Sequence, residues 1–127
     1  MVHAGQKPSP NEKKFIDRIA KATARLAGVT QEVDGFGHTS FRVGKKSFVI
    51  IGSGEGGAAL SIKCDLVTQD SLIRSGRYQR TAYIGQHGWV TTSADAKQDW
   101  TEIQELVEEA YRRTAPKKLL KESEKGG

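Results

Sequence analysis

The chain has one cysteine, one methionine and three prolines in 127 residues, and each scarcity closes a route. A lone Cys64 cannot form an internal disulfide, so the fold has to be held by its core. No His neighbour or electropositive helix start activates its thiol, and Leu60, Ile62 and Cys64 alternate with Ser61 and Lys63, which makes it a small core residue on a strand. No apolar run approaches the roughly 20 residues that cross a bilayer. Met1 to Pro10 has no apolar signal core, so a cytoplasmic protein with no membrane partner is expected. His3, His38 and His87 have no metal-ligand spacing and no cysteine partners, so no metal is expected. No base, nucleophile and orienting group occur together. The expectation is therefore a non-enzymatic protein without a cofactor.

What is present describes one ordinary domain. With 36% hydrophobic and 28% charged residues, 127 residues can bury one core but not two. The net charge of +5 leaves room for an anionic partner without demanding one. The excess sits at the front: residues 1–27 carry six Lys/Arg against two Asp/Glu, whereas 95–127 carry seven against eight.

Thr39 to Cys64 reads as two successive hairpins. Phe41 and Val43 alternate with Ser40 and Arg42, Gly44-Lys45 supplies a two-residue turn of type II′, and Phe48-Val49-Ile50-Ile51 is the most apolar run and a central strand. Gly52-Ser53-Gly54-Glu55-Gly56-Gly57 satisfies the G-x-G-x-x-G spacing of a dinucleotide site, with Asp70 near the position of the ribose-binding acid. That site needs a helix directly after the glycines. The alternation of Leu60 to Cys64 predicts a strand instead, so the glycines are read as a hairpin tip. No Gly-Lys-Ser/Thr closes the loop as a Walker motif would require.

Helices flank these hairpins. Ser9-Pro10-Asn11-Glu12 is a capping box with proline at the first helical position. Phe15, Ile19, Ala22 and Leu26 form one stripe, Gly28 is a natural terminator, and Lys13, Lys14, Lys21 and Arg25 make a solvated opposite face. Asp65 to Ser75 predicts a short helix capped by Asp65 or Thr68 and ended by Gly76. Arg74, Arg77 and Arg80 surround Tyr78, which either stacks on a base or tucks against the core. Thr81–Ile84 and Gly88–Thr92 read as a third hairpin, with Trp89 as a core anchor. Trp100, Ile103, Val107, Ala110, Tyr111 and Thr114 mark a long amphipathic helix, acidic at its start and basic at its end. The expected organisation is a flexible segment 1–8, one domain 9–116 and a polar tail 117–127. Its fold class is an α+β two-layer sandwich, a five-stranded antiparallel sheet with helices on one face, in the order α-β(3)-α-β(2)-α.

Phe41-Arg42-Val43-Gly44-Lys45-Lys46-Ser47-Phe48, Leu60-Ser61-Ile62-Lys63, Gly88-Trp89-Val90 and Asp99-Trp100 leading to Ala110-Tyr111-Arg112 stand in the order seen in MmcQ/YjbR-like proteins. The resemblance spans roughly residues 11–120. It implies a CyaY-like fold similar to that of type III secretion chaperones, and DNA binding through a double wing of paired hairpins. On that reading Arg42, Lys45, Lys46, Arg74, Arg77 and Arg80 contact phosphates. The alternative is a protein-interaction or self-associating module with no nucleic-acid role, using Tyr83 and Trp89. A small-ligand role for the glycine loop is the weakest alternative. Iron carriage is not expected, because the first helix offers only Glu12 and Asp17 among many bases.

Overall fold

The computed structural model describes residues 8–54 and 56–126. His3, Glu55, the expected flexible start and Gly127 lie outside them. The described elements run α1 (Pro10–Thr23), β1 (Thr30–Val33), β2 (Thr39–Val43), β3 (Lys46–Gly54), β4 (Gly57–Ile62), α2 (Leu66–Arg74), β5 (Gln79–Arg80), β6 (Val90–Ser93), α3 (Trp100–Thr114) and α4 (Lys117–Gly126), with a single 3-10 turn at Gly85–His87. The strands form one antiparallel sheet in the order β1-β2-β3-β4-β6-β5. The α+β class therefore stands, with six strands instead of five and a fourth helix.

The sixth strand is β1. It falls in Val29–His38, where the sequence reads as a connection with room for a short edge strand; all four of its residues are exposed, so burial imposes no alternation to mark it more firmly. It is an edge strand whose register on β2 pairs Gln31 with Phe41 and Val33 with Thr39. The segment expected as a polar tail carries α4, where Leu119 and Leu120 pack half-buried on the core and Ser123 Oγ accepts from the Ala27 amide at 2.6 Å. Thr81–Ile84, expected as a strand, is a turn. On the side away from β4, β6 pairs instead with the two-residue β5 just before that turn, and Gln79 faces Thr91.

The first helix starts as its capping box requires: the Glu12 amide donates to Ser9 Oγ at 3.2 Å and the Ser9 amide to Glu12 Oε1 at 3.0 Å. It ends at Thr23, short of Gly28, and the chain leaves it through successive turns; the buried Thr23 hydroxyl is satisfied by donating to the Ile19 carbonyl at 2.8 Å. Asp65 is the cap of α2: its carboxylate accepts from the Thr68 amide at 2.6 Å. That bond comes first among the causes that hold its pKa below the usual carboxylate value, and Arg113 adds to it.

Phe41, Val49, Ile51, Leu60, Ile62 and Val90 line the sheet face under α1 and α3, and each is at most 2% exposed. A bulge in β3 faces Phe41 with Val49 and Arg42 with Ser47, so Phe48 is the extra residue. Phe48 and Val49 are consequently both buried in sequence, and Phe48 meets Tyr111 edge-on at 6.0 Å. Fully burying each of these side chains contributes about 1.5–3 kcal/mol. Cys64 lies in the same core, where burial pushes its thiol up to about 12.

Candidate anion-binding surface

The six residues that sequence reading assigned to phosphate contact do not form one patch. Arg42 is absorbed by its own hairpin: its guanidinium donates to Ser47 Oγ at 2.9 Å and the Lys45 carbonyl at 2.6 Å, with Glu32 at 3.5 Å. Arg74 pairs with Asp70 one helical turn earlier, at 2.8 Å. Arg77 donates to both Glu102 oxygens at 2.9 Å, which raises its pKa first through that hydrogen bond and then through the carboxylate's charge. Tyr78 is buried rather than poised to stack, and its hydroxyl donates to the same Glu102 at 2.8 Å. Desolvation, followed by the bond to Glu102, pushes its pKa upward. Arg77 and Tyr78 thus clamp the loop after α2 onto α3. Arg80 is on the far edge of the sheet, with its side chain laid over Gly85.

Lys45 and Lys46 are different. Gly44 and Lys45 both take positive φ, at 57° and 71°, so the turn is type I′ and not the expected type II′. Lysine tolerates the left-handed region poorly, and β2 and β3 close directly on this pair. The turn abuts the start of α4: a Cβ on Gly44 would lie 2.9 Å from Pro116 Cδ. Lys45-Lys46 and Lys117-Lys118, which directly follow these two touching residues, therefore lie toward one end of the molecule, with Lys121 and Glu122 one turn further along α4. All five lysines are exposed, and none makes a salt bridge with a described residue.

Arg77 sits at the other end of α3. Its partner Glu102 is in the first turn, whereas Pro116 follows the last, a separation of roughly 20 Å at about 1.5 Å per residue. Sequence reading missed the lysines of α4 because it left them in a tail. The available signal was Leu119 and Leu120 set among lysines, which gives an amphipathic turn.

The glycine-rich stretch is a hairpin. Gly54 pairs with Gly57, and strand β4 begins where a dinucleotide site would need a helix. Among the described residues no group of three or more His, Cys, Asp or Glu could hold a metal, and no helix is long and apolar enough to cross a membrane.

Comparisons with known proteins agree with this architecture. The crystal structure of Deinococcus radiodurans protein DR2400, a DUF419 domain, is similar at 17% identity over 86% of this chain and 87% of that one, with a TM-score of 0.70, and so shares the fold. No curated protein matches. The family model described as YjbR matches residues 24–113, more than half of the chain, and the protein therefore belongs to the YjbR family.

Proposed function

We propose that this YjbR-family protein acts by binding rather than catalysis, and that its ligand is the phosphate backbone of DNA. The observation that carries the proposal is the meeting of the Gly44-Lys45 turn with Pro116, which brings Lys45, Lys46, Lys117, Lys118 and Lys121 to one end of the molecule, where none of them makes a salt bridge with a described residue. Lysines presented this way neutralise phosphates and release counterions, giving affinity with little sequence preference. The contact set is thus revised from the sequence-based one: Lys45 and Lys46 stay, while Arg42, Arg74 and Arg77 are spent on intramolecular bonds.

Five phosphate contacts give a slope of log affinity against log salt of about −4.5, or about a 500-fold loss between roughly 50 and 200 mM salt. Fluorescence anisotropy with a short duplex measures this directly. Lys45→Asn keeps the turn, since asparagine accepts positive φ. Combined with Lys117→Gln it removes two contacts and flattens the slope to about −2.7. Affinity that does not change with salt, or a slope untouched by the double substitution, overturns the proposal.

A further inference from the structure

The sheet face opposite α1 and α3 is not covered by any described element, and it holds an open cleft of about 820 Å³, a volume usual for small-molecule sites. The strand register lays out its floor. Gly52 faces Ala59 and Ala59 faces Ser93, so the middle row offers nothing larger than a serine side chain. In the next row on the same face Ser61 faces Thr91 and Thr91 faces Gln79, and the Ser61, Thr91 and Thr81 hydroxyls join through hydrogen bonds of 2.8 Å. The depression is therefore bare in its centre and polar along one side.

Two polar side chains wall the other side. The His38 ring lies on the Gly52 backbone, where a Cβ would collide with its Cδ2, and the Asp95 carboxylate lies on Gly56, where a Cβ would come within 2.6 Å. Glycine at both positions lets a polar group fold down over the hairpin instead of standing off it. His38 is braced from behind: its Nδ1 meets Asp34 Oδ2 at 3.3 Å, while Asp34 accepts from the Phe36 and His38 amides, which leaves Nε2 for another partner. Asp95 makes no salt bridge with a described residue. The far wall is the turn after β5, where Tyr83 stands 95% exposed.

We propose that this cleft is a binding site for a neutral, polyhydroxylated ring of monosaccharide size. The chemistry of its lining selects that class. Hydroxyls, the Gln79 carboxamide, the Asp95 carboxylate and the His38 imidazole together donate and accept, as the hydroxyls of a sugar do, and an exposed tyrosine ring suits the apolar face of a pyranose. An anionic ligand lacks a counter-charge here. The one Lys or Arg among the lining residues is Arg80, whose register with core-facing Val90 takes its side chain to the helix side, with its stem against Gly85. An apolar ligand would bury the hydroxyl row and Asp95 without partners. The cleft shares no lining residue with the lysine patch and does not depend on nucleic-acid binding.

A ligand of about twelve heavy atoms in a half-open polar cleft supports a dissociation constant on the order of 1 mM. The isotopically labelled full chain is titrated with D-glucose, D-galactose, D-mannose and D-ribose, each to roughly 20 mM, and followed by amide NMR. At least one sugar should shift the Gly52, Ala59, Ser61, Thr91 and Ser93 amides together and saturably. Ala59→Phe, at a half-buried position on the open face, fills the floor and should abolish those shifts. Asp95→Asn, at an exposed position, should weaken binding at least about fivefold. Both variants should keep the parent's Tm and its salt slope on DNA. No saturable shift with any of the four sugars, parent-like binding by either variant, or glucose-6-phosphate moving the same amides more tightly than every neutral sugar, overturns the inference.

Discussion

Replacing Gly44 with alanine tests whether the turn-to-helix contact organises the lysine patch. Two costs arise. Any L residue at φ 57° loses about 1–2 kcal/mol to the left-handed region, and a Cβ placed 2.9 Å from Pro116 Cδ forces the turn and the start of α4 apart for about 1 kcal/mol more. Gly76→Ala is the internal control: Gly76 ends α2 at φ 83°, and its Cβ would meet nothing within 4 Å. It carries the backbone cost alone. At about 4 °C per kcal/mol, Gly44→Ala should lower Tm by about 8–12 °C and Gly76→Ala by about 4–8 °C. Thermal unfolding followed by circular dichroism separates them. The functional readout is sharper, because only Gly44→Ala should disperse the lysines, taking the DNA salt slope from about −4.5 toward the value of about −2 expected of two contacts. Equal Tm losses with an unchanged slope would refute the idea that this abutment builds the surface.

Three further outcomes follow from the packing. Gly88→Ala should leave no cooperative unfolding transition, since a Cβ at φ 98° would run into the Cys64 carbonyl, a backbone atom that cannot step aside; a soluble variant with near-native Tm would contradict this. Tyr111→Phe removes a hydroxyl that donates to the Ala27 carbonyl at 2.6 Å and meets Ser123 Oγ at 2.9 Å. It should cost about 1–2 kcal/mol and speed amide exchange along α4, and protection equal to the parent would argue against that anchor. The thiol of Cys64, pushed by burial up to about 12, should react with a disulfide reagent only as fast as the chain opens. An unfolded thiol ionises near 8.5, so its contribution to stability is complete below that pH and is lost as pH rises toward 12; prompt labelling of the native protein at pH 8 would show the site is open.

The local elements were legible from residues alone wherever the determining interactions are local. Ser9 and Glu12 sit three apart, and that spacing makes the cap of α1. Ile103, Val107, Ala110 and Tyr111 repeat with the helical period, and that repeat sets the buried face of α3. Alternation after the glycines determined that β4 is a strand, which removed the nucleotide-binding reading. Tertiary structure decided what depends on partners distant in the chain. β1 exists because β2 offers it an edge, not because its own residues bury anything. Tyr78 and Arg77 are withdrawn from any ligand because Glu102 lies across the space from them. Two lysine pairs far apart in sequence lie toward one end of the molecule because Gly44 lets a turn press against Pro116, and long-range contact of that kind leaves no periodicity for a linear reading to find.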